Sequence, residues 1–472
     1  MDQVVPNKSA TQMVLDYIRG FNVLKKTGYE YWGVQIINIL DSTAYFAMLS
    51  CSTLFLSGDI GMNDVHAGYT VTLFTTATTI LLFFSGTITD WLGVRRAMIW
   101  TLWGNLITRG LVVVVALEPA IPQRGWIVAG LLLAQAPFMA SIQTIFQTSN
   151  KLFTSKKSRG AGFNVWYLAM NVGAMLGGYS LDVIHQWMGL SYTHIFTMST
   201  VIAVITLVIT HVMIKKNDQY VDPDEPAEEQ KEQEAPSKKL KPWQIAAQVV
   251  KNPVFWKFLV LIALLLGVRA VFTYMYLLFP KFWVRIIGPE AQVGFYQALN
   301  PALVIMGLVL FIPFANRYNV FKMLVFGATI SALSLFILAV PFGWLGSDLP
   351  HITHWLSIIS LIVLALGEII WSPKYYELVA AIAPKGQEGS YLGFSQIPWF
   401  GAKTLVSFAS GHMLVRWCPE GIADKIISGE AGFWQSPNAM WFILGSLALG
   451  GILICFLLKN WITKGANYEA QG

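Results

Sequence analysis

Charge is what this sequence has least of. Asp, Glu, Lys and Arg together make up 12% of its 472 residues, about half the share of roughly 25% that an ordinary soluble domain carries. A soluble globular chain is excluded on that ground. Cysteine is scarcer still: Cys51, Cys418 and Cys455 stand far apart, with neither paired nor metal-like spacing, so neither a disulfide framework nor a zinc site is expected. His185, His194, His211 and His412 fall mostly near the ends of apolar stretches and make no ligand set. No nucleophile–base or metal constellation stands out, which argues against an enzyme and against any bound cofactor. The opening MDQVVPNKSATQMVLDYIRGF lacks the charged-then-apolar order of a cleaved signal peptide. The first apolar span is therefore expected to serve as an uncleaved insertion signal.

What the chain does have is hydrophobicity, at 55% of residues, with aromatics at 14%. Twelve apolar segments lie near 32–56, 67–89, 97–117, 126–149, 161–184, 192–214, 254–280, 291–315, 321–344, 354–378, 389–415 and 437–459. Each suffices to cross a hydrocarbon core of about 30 Å, which takes about 20 residues. Residues 1–28 hold a short amphipathic stretch (Met13, Val14, Tyr17, Ile18, Phe21) ending in Lys25 and Lys26, expected to lie on the membrane surface. Between the sixth and seventh spans, residues 215–251 are polar, acidic at the centre, basic at the ends and broken by prolines. They read as a solvated linker dividing the chain into an N-terminal half, 29–214, and a C-terminal half, 252–460, followed by a tail, 461–472. The loop after the second span, GTITDWLGVRR at 86–96, has a faint echo in the second half, where Asn316, Asn319 and Lys322 repeat the spacing of Asp90, Gly93 and Arg96.

The formal charge of +6 does not imply nucleic acid, because most basic residues sit in short loops. With both termini and the linker in the cytoplasm, only Arg124, Lys281, Arg285, Arg416 and Lys425 fall on the other side, and the positive-inside rule selects that topology. Arg109, Arg269, Lys374 and Lys403 then fall inside spans, as do the acids Asp41 and Glu368. A charge at membrane depth costs roughly 2.5–3.5 kcal/mol on insertion scales, so such residues usually serve a function. The segment LIVLALGEIIWSPKYYELVAAIAP at 361–384 concentrates them. Glu368 is expected to line a polar cavity, with the helix bending at Pro373, and Lys374 either joins it or snorkels toward the cytoplasm.

Two six-helix halves, a charged linker and the GTITDWLGVRR loop together resemble the major facilitator superfamily. The resemblance implies an all-α integral membrane fold of twelve transmembrane helices in two pseudo-symmetric halves, with Asp90, Arg95 and Arg96 as a gating latch. Residues read without it give only positive-inside loop chemistry at those positions. Within the superfamily, FNVWYLAMNVG at 163–173, QALNP at 297–301, GEIIWSP at 367–373 and YLG at 391–393 are similar to signatures of the proton-coupled oligopeptide transporter family. That likeness implies peptide-like or zwitterionic substrates met by Glu368, Asn171, Asn300, Tyr167, Arg269 and Lys403, with proton coupling through Glu368 and Asp41. The departures are equally specific. Where the family has Glu-x-x-Glu-Arg on helix 1, this chain has Asn38, Asp41 and Ser42, and the family's helix 4 lysine is replaced by the neutral Gln135 and Gln143. Arg269 and Lys403 are cations the family pattern does not contain.

The leading expectation is a proton-coupled symporter of a peptide-like or small zwitterionic solute, driven by a proton gradient and working as a monomer in a cell or inner membrane. Two alternatives remain: a uniporter or exporter of an organic anion clamped by Arg269 and Lys403, and a non-transporting receptor or scaffold. Each intramembrane charge also has a plainer reading, a pair that only holds helices together, although buried pairs stabilise weakly. For Asn171 and Asn300 the plainer reading is an interhelical hydrogen bond, and for Gly173, Gly177 and Gly178 it is close helix packing.

Overall fold

The computed structural model describes residues 19–215, 253–315, 319–382 and 397–463, together with Gln12 and Leu15. Within those residues the chain is helical throughout, and twelve long helices carry the architecture. In the first half they are α1 (Tyr29–Leu54), α2 (Asp64–Leu92), α3 (Val94–Leu117), α4 (Arg124–Leu152), α5 (Lys156–Asp182) and α6 (Thr193–Met213). In the second they are α7 (Pro253–Leu277), α8 (Val293–Ala315), α9 (Val320–Leu338), α10 (Leu349–Ile382), α11 (Ile397–Trp417) and α12 (Pro437–Leu457). Each overlaps one of the twelve apolar segments read from the sequence. Among the described residues, 9 are long and apolar enough over their described length to cross a membrane. The polar linker, the YLG stretch, Asn316 and most of the amphipathic N-terminal segment lie outside the described residues.

Local chemistry sets the helix boundaries. Asn63 caps α2 by accepting from the His66 amide at 2.8 Å, and Ser155 with Ser158 form a reciprocal capping box at the start of α5. Between α2 and α3 the chain reverses at Gly93, whose φ of 73° is costly for any residue with a Cβ. That single glycine brings Arg95 to the end of α6, where its Nε donates to the Ile214 carbonyl at 2.8 Å. A cation at a helix C-terminus satisfies an orphan carbonyl and complements the helix dipole.

The helices turn their apolar faces outward, as a bilayer solvent requires. Leu111, Val114, Leu117, Leu447 and Leu457 are exposed along α3 and α12, and Trp126, Trp187 and Trp344 are exposed near helix ends. Inside, small residues set the spacing. A Cβ on Gly173 would lie 2.5 Å from the Ile39 carbonyl, and one on Gly178 would lie 2.7 Å from the Ala298 amide nitrogen. The glycine run on α5 therefore packs α1 on one side and α8 of the other half on the other, as the packing reading expected.

α10 runs as one piece from Leu349 to Ile382, so the chain stays helical past position 373, where the bend was expected. A proline removes one ladder bond, which neighbouring helices in a bundle can absorb. Lys374 does not snorkel: it is 2% exposed and enclosed by its neighbours.

Candidate functional site

The two halves meet along α2 with α11 and along α5 with α8, and polar side chains gather between them. On α1, Tyr45 accepts a hydrogen bond from Lys403 Nζ of α11 at 2.9 Å, and the ammonium also lies 5.4 Å from the centre of the Tyr45 ring. This bond crosses from one half to the other at residues that are both well inside their helices. Tyr276 of α7 lies within electrostatic reach of Tyr45, of Tyr167 on α5 and of Glu368 on α10, and its ring sits 5.6 Å from Phe46. Tyr167 also packs against Val304, Leu308, Ala365 and Ile369 of α8 and α10. Residues far apart in sequence thus converge on one place.

Glu368 is the acid of this group. Arg269 of α7 lies within its electrostatic reach, and the Asn300 amide of α8 lies beside it. Neither contact fully satisfies the carboxylate: Glu368 Oε2 and Asn300 Nδ2 are both buried without a hydrogen-bond partner. An unmade hydrogen bond at a buried polar atom costs roughly 1–3 kcal/mol, more for a charged group. Two adjacent groups of this kind form a place where a donor and an acceptor from a third molecule would fit. Arg269 is fixed differently. Its guanidinium lies 4.5 Å from the centre of the Trp371 ring and 5.0 Å from that of Tyr375, both on α10. Trp371 is held in turn by a 3.2 Å bond from its Nε1 to Ser331 of α9. A desolvated cation–π contact contributes about 2 kcal/mol.

The other charged residues lie elsewhere. Asp41 pairs with Arg109 of α3 at 3.4 Å, and the two are 2% and 0% exposed. Arg109 also donates to the Ser199 carbonyl of α6 at 3.3 Å, while Gln135 of α4 reaches Asn105 of α3 at 3.5 Å. This polar nest is internal to the first half. Asn38 and Ser42 do not face it: Asn38 donates to the Trp166 carbonyl at 2.9 Å and accepts from Ser42 at 3.2 Å. Asn171, expected near a substrate amide, donates 2.9 Å back to its own helix at the Tyr167 carbonyl. Arg95 is tied to α6 as described, Arg96 is exposed, and the Asp90 side chain lies outside the described residues.

A second polar cluster closes the end of the bundle where α1 leads into α2. Asp64 pairs with Lys281 and, at 2.5 Å, with Arg285, both on a short helix (Phe279–Ile286) that follows α7. Arg285 also donates to the Cys418 carbonyl at 2.7 Å and approaches Glu420 at 3.6 Å. Burial pushes the Lys281 ammonium below the ordinary lysine range, with Asp64 opposing that shift. Beside it, Tyr69 and His412 are 2.9 Å apart, and Asp182 at the end of α5 accepts from the Gly294 and Phe295 amides of α8 at 2.7 and 2.6 Å. Arg285 and Lys281 read from the sequence only as loop charges; nothing in their local pattern pointed to Asp64, 217 residues from Lys281. No group of His, Cys, Asp and Glu arranged to hold a metal occurs among the described residues.

This arrangement of α1 to α12 has relatives. The profile of the Major Facilitator Superfamily matches residues 31–407. The chain belongs to the major facilitator superfamily. It is 22% identical over 398 residues to the uncharacterized MFS-type transporter YqjV of Bacillus subtilis (strain 168), covering 81% of this chain and 87% of that protein. Among solved structures it is similar to a POT family transporter in complex with 5-aminolevulinic acid, with a TM-score of 0.67, 13% identity and coverage of 92% of this chain and 96% of that one. A structure from work on substrate recognition in proton dependent oligopeptide transporters gives a TM-score of 0.68, 15% identity and coverage of 92% and 98%. The superfamily member described here is thus a multi-pass membrane transporter, not an enzyme, with a fold resembling that of the peptide transporters.

Proposed function

We propose that this transporter is a proton-coupled symporter, moving a small peptide-like or zwitterionic solute by alternating access between its two halves. The observation that supports it most is the Glu368 carboxylate, whose Oε2 is buried and unpartnered beside Asn300 and within reach of Arg269. An acid carries protons in a transport cycle when its surroundings change: contact with bulk water or a cation favours proton loss, and seclusion favours proton retention. Rocking of the halves about a midplane site supplies that change. Glu368, Asn300, Tyr167 and Asn171 then bound the solute, while Arg269 and Lys403 supply positive charge. Asp41 takes a different part in this proposal. Its carboxylate is held by Arg109 within one half, so it joins α1 to α3.

In the same reading the cluster around Asp64 is the closed outer gate, and the described state faces the cytoplasm. The chain is placed with both termini cytoplasmic, and the loop of Asp90, Arg95 and Arg96 works at the cytoplasmic side. Uptake into proteoliposomes under an inward proton gradient tests the proposal. Accumulation of a dipeptide that is lost in Glu368→Gln is the expected result; gradient-independent uptake, or wild-type accumulation in Glu368→Gln, would overturn it.

A further inference from the structure

Of the two cations in the central group, one stays within its own half and the other reaches across to the opposite half. Arg269 lies over two rings of its own half, and Trp371 is itself anchored to α9. Lys403 Nζ donates a hydrogen bond to the Tyr45 hydroxyl oxygen of α1 at 2.9 Å. A lysine is a point charge on a flexible four-carbon stem with three donors, so it can change acceptor without moving its backbone. A phenol oxygen is a neutral acceptor, and a hydrogen bond from an ammonium to a carboxylate is roughly twice as strong as one between neutral groups.

We infer that Lys403 is the binding residue for a carboxylate on the transported solute, and that it leaves Tyr45 to make that contact. This inference rests on the transport reading above and adds the chemical class of the ligand and the residue that selects it. Lys403 is 8% exposed, so a carboxylate reaching it must come from the space between the halves. When it does, the bond between α1 and α11 is exchanged for one between α11 and the solute, and a link holding the two halves together at the centre is released. The C-terminal half then reads every charged group of the solute: Glu368 faces an amine and Lys403 faces the carboxylate. Among the described residues, the N-terminal half contributes the neutral groups Tyr45, Tyr167 and Asn171.

The test compares three probes on the purified full chain: alanyl-alanine, its C-terminal amide, and N-acetyl-alanine, which keeps the carboxylate and lacks the amine. Two readouts are taken for each, the thermal shift in detergent and the uptake into proteoliposomes under a proton gradient. Both carboxylate-bearing probes are expected to shift the melting temperature and to be taken up at least about tenfold better than the amide, the factor a charge-assisted contact supplies. Lys403→Gln is expected to erase that preference and Lys403→Arg to keep part of it. Tyr45→Phe, which retains the ring and deletes the competing oxygen, is expected to lower KM for the carboxylate probes a few-fold while leaving the amide unchanged. Equal handling of the amide and the carboxylate forms by the wild type would overturn the assignment while leaving proton-coupled transport standing. So would a preference that survives in Lys403→Gln. If Lys403→Gln does not fold, an unchanged KM in Tyr45→Phe overturns the exchange. A Lys403-dependent shift from the carboxylates without proton-driven uptake would instead sustain the assignment and remove the coupling proposal. No response to any of the three probes would overturn both.

Discussion

In α1–α6 the buried acid and the buried arginine face each other: Asp41 and Arg109 lie 3.4 Å apart, wholly inside the half, with Ser199 taking a second guanidinium bond. In α7–α12 the corresponding inventory is dispersed. Glu368 keeps an unpartnered oxygen beside Asn300, Arg269 rests on aromatic faces, and Lys403 extends across to Tyr45. Both halves meet the same cost of placing charge in a low-dielectric interior. One offsets it within its own core, whereas the other spreads its charges around the space between the halves. An ion pair that never changes partners holds helices together; charges that can change partners are what alternating access requires. The difference makes the first half a wall and the second the reader of the solute.

The sharpest way to break the comparison is to strand a charge in the first half. Asp41→Asn leaves Arg109 buried without its carboxylate, and removing one partner of a buried pair costs about 3–5 kcal/mol. Arg109→Gln should cost a similar amount, and the double variant should recover most of the loss, because two neutral amides can hydrogen-bond. Thermal unfolding of the three purified proteins checks this. Next in size is Glu368→Gln, expected to lower gradient-driven accumulation by roughly tenfold or more, with a melting temperature at or above that of the wild type, since a buried charge is removed. If Glu368→Gln instead unfolds the protein while Asp41→Asn leaves it intact, the two halves have been assigned the wrong way round.

The gate at the far end offers a smaller effect. Asp64→Asn removes the acid shared by Lys281 and Arg285, whose side chains are only 4% and 9% exposed, so its stability cost should be about 1–3 kcal/mol. Cys418 is fully buried beneath Arg285, and a small thiol reagent should reach it roughly tenfold faster in Asp64→Asn, as a locally opened state becomes more populated. The smallest effect belongs to Arg95→Ala, which deletes the cation at the end of α6 and should lower stability by about 0.3–1 kcal/mol, read as a fall in melting temperature.

Much of the fold was legible because bilayer solvation writes it directly into sequence. Among the described residues each apolar run overlaps a long helix, and Asn63, Ser155 and Gly93 mark boundaries that capping and turn chemistry predict. The central site was legible in part. Glu368, Arg269 and Lys403 announce themselves as charges at membrane depth, but their partners depend on helix rotation and packing, which no local pattern encodes. Asp41 and Glu368 look alike in the sequence, and only the structure shows Arg109 facing the first of them. Asn171 lies within a recognisable signature yet bonds to its own backbone. Lys374 has two readings in sequence, joining the cavity or snorkelling, and its 2% exposure on the continuing α10 is against the second.

Proton-driven accumulation by Glu368→Gln, compared with that by the Asp41→Asn, Arg109→Gln double variant, tests the account most directly. Each protein is reconstituted, loaded with unlabelled dipeptide to measure exchange, and assayed again under a proton gradient. The account predicts that Glu368→Gln exchanges solute but no longer accumulates it, whereas the double variant does both. Loss of accumulation in the double variant, with Glu368→Gln still responding to the gradient, would contradict it.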